Sequence, residues 1–307
     1  MTTDVSITFD IENFYEGLVS HGLIIPVGVP GAFGRGAVFE TVLEGVDAQI
    51  RAIAAGDGAE AHHYPPIIDR GLLEKVHYLD SFPHLCGAVH SFSGNALQAL
   101  ALAERVNSGE PWGDLLSQTG VTLNPAACYP VYPGFAGALP EQGRLVSLLG
   151  WVYRNEPSRE PTRMQSFRVR EFVRAGTAEQ VVAWRDMWLQ RGLELLTSFG
   201  LPAHSSVAAD PFFGRGGKVL AANQIEQRLK FEVLVPVISL DAPTAVCSFN
   251  FHQEHFGSTF NIRTADGATA NTACLGFGLE RVTMALFKHH GFDTDRWPHS
   301  LRERLSL

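Results

Sequence analysis

The chain has 307 residues, of which 45% are hydrophobic and 18% charged, an ordinary globular composition with enough length for one large core or two modest ones. Its formal net charge of -8 at pH 7 excludes the global basic surface typical of a protein whose main partner is a nucleic acid. The longest apolar stretches, residues 145–152 and 231–240, fall short of the roughly 20 residues that a membrane span needs.

The N-terminal segment MTTDVSITFDIENFYEGL carries acidic residues where a secretory signal needs a basic region and then an apolar run. We therefore expect a cytoplasmic protein. The four cysteines, Cys86, Cys128, Cys247 and Cys274, are widely spaced, and in a reducing compartment such residues are buried, catalytic or metal-bound more often than bridged. No disulfide bond is expected.

Helical periodicity first appears over residues 37–55, and the extended segment HHYPPIID follows it. A second helix is predicted over residues 95–106. A third is predicted over residues 178–199, where Thr177 and Gln180 form a capping-box pattern. The apolar residues of the first helix share one face: Phe39, Val42, Leu43, Val46, Ile50 and Ile53.

Segments rich in Val, Phe and Ile predict strands. They cover residues 145–154, 166–173, 231–238, 245–252 and 258–263. Strands that follow one another through short links favour an antiparallel sheet flanked by helices, which is the α+β class. Because no repeat or interdomain linker is found, we expect a single domain over residues 1–307 with a helical insertion around residues 86–128.

Basic residues are concentrated between Arg154 and Arg174, which hold six of the 24 Lys and Arg. Either a solvated face or an anion site for a triphosphate would account for this cluster. Along the second predicted strand, Phe167, Val169, Glu171 and Val173 share one face, and Arg168, Arg170, Phe172 and Arg174 share the other. Glu171 therefore points where apolar groups point. Since an inward carboxylate is costly unless a cation meets it, an arginine partner or a metal is implied.

Three separated pieces of the chain resemble, in order, the motifs of a class II aminoacyl-tRNA synthetase core of the seryl type. PGAFGRG, the helix over residues 37–55 and HHYPPIID resemble motif 1, the dimer-forming element. YRNE at 153–156 with RMQSFRVRE at 163–171 resembles motif 2, a pair of strands joined by a loop. ACLGFGLERVTMALFKHHG resembles motif 3, in which glycines let a strand turn closely into the helix that carries Arg281.

This resemblance implies residue roles in ATP binding and adenylate formation. Arg154 and Arg281 would be the catalytic residues, with the Arg154 guanidinium bridging the α-phosphate and the amino-acid carboxylate. Glu156 would accept a hydrogen bond from the adenine amino group, Phe167 would stack on the base, and Arg163 would reach the outer phosphates. The other ATP-binding residues would be Met164, Lys230, Ala245, Val246, Cys247 and Ser248. Because the family's metal-binding Glu is missing ahead of Ser248, the resemblance leaves open how magnesium is held.

Cys128, Glu171 and Cys274 match the Cys, Glu and Cys that hold a catalytic zinc in the archaeal branch of seryl-tRNA synthetases. Three protein ligands leave a tetrahedral position open, which could take the amino group of the substrate. Asp210 matches an acidic residue near that amine, although a surface aspartate in a turn is the alternative. Cys86 and Cys247 are interpreted as ordinary buried cysteines.

A seryl-tRNA synthetase carries a tRNA-binding domain ahead of its core, whereas here the motif 1 helix begins within the first 40 residues. No tRNA partner is therefore expected. The chain is similar instead to the amino acid:[carrier protein] ligases. That implies activation of a small amino acid by ATP and Mg²⁺, then transfer to the phosphopantetheine thiol of a holo carrier protein. We favour glycine or alanine, with serine open. The alternatives are a compact synthetase paralogue acting on tRNA and a non-catalytic regulatory paralogue.

Two further expectations concern surfaces. The motif 1 resemblance and the amphipathic helix predict a two-fold homodimer. Docking of an acidic carrier on a chain of charge -8 needs a local basic or apolar patch. Two places could supply this patch. One is the group of arginines Arg168, Arg170 and Arg174, and the other is the helix over residues 95–106.

Overall fold

A computed structural model describes residues 10–307. Part of the N-terminal segment behind the cytoplasmic prediction lies outside the described residues. The helices are α1 (Ile11–Ser20), α2 (Ala37–Ala54), α3 (Arg70–Lys75), α4 (Tyr78–Ser81), α5 (Ala96–Ser108), α6 (Ala178–Ser198), α7 (Gly214–Glu226), α8 (His255–Thr259), α9 (Leu279–His290) and α10 (His299–Leu305). Over residues 10–307, no helix is both long and apolar enough to cross a membrane.

The strands are β1 (Ile24–Pro26), β2 (Phe33–Arg35), β3 (Glu60–His62), β4 (Ile67–Asp69), β5 (Ala88–Ser91), β6 (Ser117–Leu123), β7 (Gly137–Ala138), β8 (Arg144–Tyr153), β9 (Ser166–Gly176), β10 (His204–Val207), β11 (Lys230–Val235), β12 (Thr244–Gln253), β13 (Ile262–Arg263) and β14 (Asn271–Gly278). A seven-stranded sheet has the order β10-β11-β12-β14-β9-β8-β3. Its neighbours pair antiparallel except β3 with β8, which are parallel. The predicted α+β class with an antiparallel sheet is confirmed.

Separate apolar clusters form on the two faces of this sheet, as the alternation along β9 predicts. Phe172 belongs to the cluster that includes residues of α2, α6, α9 and α10, and its ring lies 4.9 Å from that of Trp188. Val173 belongs to the other cluster, which includes Cys128, Tyr132 and Cys274. The second cluster therefore lies on the same face as Glu171.

The apolar face of α2 is buried within the subunit. Phe39 stacks on Phe287 of α9 with ring centroids 5.9 Å apart. At Gly45 the helix meets α10 so closely that a Cβ there would lie 2.5 Å from the Leu305 carbonyl oxygen. Intramolecular packing therefore explains why α2 is amphipathic, and its amphipathicity is not evidence for a dimer.

Charged pairs tie α2 to the sheet and to α9. Arg168 places both terminal nitrogens 2.7 Å from the Glu40 carboxylate and donates from Nε to Glu280 at 2.9 Å. Arg170 donates to both oxygens of Asp47 at 2.6 and 2.9 Å. These two arginines are occupied and partly or fully buried, so the expectation that they help to dock a carrier protein is wrong. The third arginine, Arg174, donates to the Gln142 carbonyl at 2.8 Å.

The predicted caps of α5 and α6 are both present. Asn95 and Gln98 form a reciprocal capping box at the start of α5, and Thr177 and Gln180 do so at α6. None of the residues of α5 is buried, and Leu97 and Leu100 are 77% and 63% exposed. This helix therefore stays available as a docking surface.

The strand predicted over residues 258–263 is wrong for its first half. Residues up to Thr259 belong to α8, and only Ile262–Arg263 forms a strand. Phe256 and Phe260, four residues apart, both stack on Tyr132, at 3.9 and 6.2 Å between ring centroids. Helical spacing places both rings on that partner, which an extended chain would not.

The segment over residues 86–128 is not simply helical. Helix α5 lies between β5 and β6, and these strands form a three-stranded sheet with β4. The prediction missed the strands because their residues are mixed polar and small, as in SQTGVTL.

Candidate active site

A cleft of about 240 Å³ lies on the face of the sheet that carries Glu171. Its floor comes from β8, β9, β11, β12 and β14, and its walls come from the chain around residues 78–85, 125–129 and 210–211. Most of the residues predicted from sequence line it: Cys128, Arg154, Phe167, Glu171, Asp210, Lys230, Ala245, Val246, Cys247, Ser248, Cys274 and Arg281.

Three of the residues predicted to bind ATP are not among those lining the cleft: Glu156, Arg163 and Met164. Glu156 is half-buried at the start of the loop between β8 and β9, and its charge acts on Arg281. Arg163 is largely exposed and pairs with Glu160 at 3.3 Å. The Met164 side chain is buried in the core, with its sulfur 4.0 Å from Nη2 of Arg35.

Arg154 and Arg281 both line the cleft and are held by main-chain carbonyls. Arg154 Nε donates to the Pro125 carbonyl at 3.3 Å, and its guanidinium carbon lies 5.8 Å from the centre of the Phe167 ring. Arg281 donates to the carbonyls of Thr162 at 2.9 Å and Ala245 at 3.0 Å. Burial, and then the nearby Arg154 charge, lower the pKa of Arg281. The pair therefore forms a positive region suited to a polyphosphate.

Lys230 lies between two carboxylates. Its Nζ lies 2.8 Å from Asp210 and 2.9 Å from Glu232, and Gln224 donates to the other oxygen of Asp210 at 2.8 Å. Burial opposes the charge of Asp210, but Lys230 and the Gln224 hydrogen bond outweigh it and lower the pKa of Asp210. The positive charge of Lys230 is therefore already balanced by two carboxylates without a nucleotide. Asp210 stays anionic at the wall of the cleft.

The β12 strand presents alternate residues to the cleft. Cys247 and Phe249 turn their side chains into the core, where Phe249 packs edge-on to Phe277 at 6.4 Å. Ser248, Asn250 and His252 lie on the opposite face and line the cleft. Cys247 can therefore offer a ligand only its main chain, and burial raises the pKa of its thiol well above the usual value.

Cys128, Glu171 and Cys274 converge at one end of the cleft. Their ligand atoms all lie within 4.8 Å of one another, and all three residues are buried. Glu171 comes from β9, Cys274 from the adjacent β14, and Cys128 from the loop before β7. Burial raises the pKa of Glu171 to about 7, against the opposing effect of the Cys274 and Cys128 hydrogen bonds.

The two thiols also resist ionisation. The hydrogen bond with Cys128, and then burial, raise the pKa of Cys274 well above its usual value. For Cys128 the Cys274 hydrogen bond lowers the pKa, but burial and the Glu171 charge together raise it by more. Burial thus favours the protonated form of all three groups, and a bound cation would favour the deprotonated form instead. Two sulfurs and a carboxylate form a donor set that suits zinc.

Comparison with known proteins identifies the family. No family model matches the sequence. The chain is 41% identical over 283 residues to amino acid–[acyl-carrier-protein] ligase 1 of Bradyrhizobium diazoefficiens, which covers 92% of this chain and 86% of that protein. It is 40% identical over 291 residues to ligase 2 of the same bacterium, covering 94% and 87%. The chain belongs to the amino acid–[acyl-carrier-protein] ligases.

The fold of this ligase-family chain also occurs in a synthetase. The seryl-tRNA synthetase of M. kandleri, solved in complex with A. aeolicus tRNASec, superposes with a TM-score of 0.83 at 22% sequence identity. The match covers 99% of this chain and 62% of the synthetase chain. The resemblance to a class II seryl-type core is therefore confirmed at the level of the fold.

Several cleft residues of this family member were not predicted from its sequence. Asn250 and His252 adjoin the cysteine cluster, and Glu232 contacts Lys230. Tyr78 and Phe82 form an aromatic wall with rings 5.3 Å apart, and burial raises the pKa of Tyr78 to about 12. Period-two counting onward from Ser248 could have found the β12 pair. The aromatic wall has no local sequence signal.

Proposed function

We propose that this protein activates a small amino acid with ATP and transfers the aminoacyl group to the phosphopantetheine thiol of a holo carrier protein. The observation that supports this most is the joining of two features in one cleft. The same cleft holds the guanidinium groups of Arg154 and Arg281 and the cluster of Cys128, Glu171 and Cys274. The two named ligases at about 40% identity give the reaction class.

The reaction has two steps. In the first, a carboxylate oxygen of the amino acid attacks the α-phosphorus of ATP, and the bond to the β-phosphate breaks to release pyrophosphate. Arg154 and Arg281 would stabilise the negative charge that develops on the phosphoryl oxygens. In the second, the carrier thiolate attacks the adenylate carbonyl, a thioester forms, and AMP leaves. The nucleophile belongs to the carrier, so the chain need not supply one.

We assign Cys128, Glu171 and Cys274 as zinc ligands. The donor set fits, because binding a cation would satisfy a buried carboxyl group and two buried thiols at once. A bound zinc with an open position would select a free α-amine. Magnesium would accompany ATP. Asp210 and Glu232 are the other carboxylates of the cleft, although both contact Lys230.

Glycine or alanine is the proposed substrate. Tyr129, His252 and Phe256 also line the cleft, and their rings restrict the space next to Cys128 and Cys274 that a substrate side chain would occupy. Discrimination among glycine, alanine and serine rests on about 1 to 3 kcal/mol per methylene-sized group. The proposal places the enzyme in the cytoplasm, because a reducing compartment keeps cysteines out of disulfide bonds and so able to bind a metal.

The proposal includes a two-fold homodimer. Its support is a set of exposed apolar residues on the β1–β2 hairpin, at the start of α2 and on β8. The exposed residues are Ile25, Val27, Val29, Val38 and Trp151. Exposed apolar residues gathered in one region are typical of an association surface. Light scattering at micromolar concentration should give twice the chain mass, and a monomer would contradict this part of the proposal.

The decisive experiment has two stages. Pyrophosphate exchange is measured with each of the amino acids, and glycine or alanine should support it. The enzyme is then incubated with ATP and the labelled amino acid, with holo carrier protein, apo carrier protein or total tRNA. Label should appear on the holo carrier alone, as a thioester cleaved by hydroxylamine. Charging of tRNA would favour the synthetase alternative, and failure of exchange with every amino acid would favour the regulatory one.

A further inference from the structure

Two nitrogen donors outside the proposed metal set converge on one of its members. Asn250 Nδ2 lies 3.6 Å from Cys274 Sγ, and His252 Nε2 lies 3.6 Å from the same sulfur. Asn250 is the partner of Cys274 in the β12–β14 register, and His252 lies two residues further along, at the bulge between Phe251 and Gln253. Within residues 10–307, the group whose ligand atoms all lie within 4.8 Å comprises Cys128, Glu171 and Cys274 and does not include His252.

The chemistry of a metal-bound thiolate decides where His252 carries its proton. A thiolate has no hydrogen, so Cys274 Sγ can only accept hydrogen bonds. The proton of the neutral imidazole must then be on Nε2, because the opposite tautomer would aim a lone pair at the negative sulfur. Nδ1 is left as an acceptor 3.2 Å from the hydroxyl of Thr272, which is fully buried. In this tautomer the Thr272 hydroxyl can donate to Nδ1.

Packing holds the imidazole in the orientation that this hydrogen bond needs. The His252 ring stands edge-on to Tyr132 at 6.1 Å and to Phe256 at 4.9 Å between centroids. Asn250 is fixed by its place in β12, where it pairs with Lys230 of β11 on one side and Cys274 of β14 on the other. The two donors therefore reach the sulfur from a rigid strand, which is the arrangement that outer partners of a metal ligand require.

We propose that Asn250 and His252 are positioning residues that donate two N–H···S hydrogen bonds to the metal-bound Cys274 thiolate, and this rests on the zinc site proposed above. Zinc with two thiolates and one carboxylate carries a net charge of -1 in a buried place. The two donors withdraw electron density from the sulfur and offset part of that charge. They keep the metal a stronger Lewis acid toward the substrate amine and fix the direction of the Cys274 ligand.

The test replaces zinc with cobalt(II), whose thiolate-to-cobalt charge-transfer absorption reports the electron density on sulfur. The variants are Asn250→Ala, His252→Phe, His252→Gln and Thr272→Val. Removing a donor should move the absorption to lower energy and weaken cobalt and zinc binding by roughly 10- to 100-fold in chelator competition. His252→Gln can present an amide N–H and should recover part of both effects. His290→Phe is the matched control, since His290 contacts the Phe199 carbonyl at 2.8 Å and no cysteine.

The outcomes separate the two proposals. Wild-type protein that takes up neither metal would overturn the zinc site and the hydrogen bonds together. Wild-type binding with the same spectrum and affinity in Asn250→Ala and His252→Phe would overturn the hydrogen bonds alone. An imidazole seen by X-ray absorption in the zinc protein would make His252 a ligand and overturn its role as a donor. Circular dichroism checks each variant for folding, and Thr272→Val, which is nearly isosteric, tests the His252 donor without altering the ring.

Discussion

Removal of the Glu280 carboxylate is expected to destabilise the fold by several kcal/mol. The residue is fully buried at the start of α9. It accepts from the Arg168 main-chain N–H at 2.8 Å and from Arg168 Nε at 2.9 Å, and it pairs with Arg35 Nη2 at 3.2 Å. Glu280→Ala would leave two guanidinium groups in the interior without this anion.

The size of the effect follows from what each arginine retains. Breaking a buried ion pair by removing one partner costs about 3 to 5 kcal/mol. Arg168 keeps Glu40 at 2.7 Å and Arg35 keeps the Ser166 carbonyl at 3.1 Å, which places Glu280→Ala near the lower end. Glu280→Gln retains one acceptor but turns an amide N–H₂ toward the guanidinium groups, so about 2 kcal/mol is expected.

Urea unfolding at neutral pH measures both values, with Glu303→Gln as the control. Glu303 is a glutamate on an exposed helix face whose contact is His299 at 3.7 Å, so its loss should change stability by less than about 0.5 kcal/mol. A loss below about 1 kcal/mol for Glu280→Ala would refute the reasoning, because it would mean that the network between α2, the sheet and α9 does not need this anion.

Three other predictions concern the cleft. Arg154→Ala or Arg281→Ala should reduce pyrophosphate exchange by at least roughly 100-fold, the usual scale for losing a preorganised charge stabiliser, and near wild-type exchange in both would contradict their roles. Cys274→Ser should lose zinc, measured by metal analysis, and lose amino-acid binding while ATP binding persists. Burial raises the pKa of Glu171 from 4.5 to about 7, so in zinc-free protein the folded chain keeps a proton there that the unfolded chain has released. Stability of zinc-free protein should therefore fall by about 3 kcal/mol as pH rises through that window, and urea unfolding of Glu171→Gln should not show this loss.

Much of the fold was predictable from sequence, because buried side chains recur along a strand or a helix with the period of that element. Alternation along β9 placed Phe172 and Val173 on opposite faces, and the Thr177 capping pattern marked the start of α6. The strand predicted in place of α8 came from composition, because aromatic residues are common in strands and in buried helices alike. Four-residue spacing of Phe256 and Phe260 was the signal for helix that composition hid.

Much of the candidate site was predictable because its residues lie in segments that resemble the synthetase motifs. The partners of those residues were not. Lys230 could be named, but its ion pair with Asp210 depends on how β11 lies beside a loop that precedes it in the chain. Tyr78 reaches the cleft from a segment that belongs to none of the three motifs. Contacts of this kind follow from topology and leave no local pattern.

The arginines of residues 154–174, together with Arg281, divide by the chemistry of what holds them. Arg168 and Arg170 face carboxylates, so their charges are cancelled inside the protein and serve the architecture. Arg154 and Arg281 are oriented instead by the neutral carbonyl oxygens of Pro125, Thr162 and Ala245. A carbonyl dipole can fix the direction of a guanidinium group without cancelling its charge, although Glu156 and Glu232 act on Arg281 through their own charges. An anion entering the cleft thus meets two cations whose orientation is already fixed, and within residues 10–307 no salt bridge to either guanidinium group has to be broken before it binds.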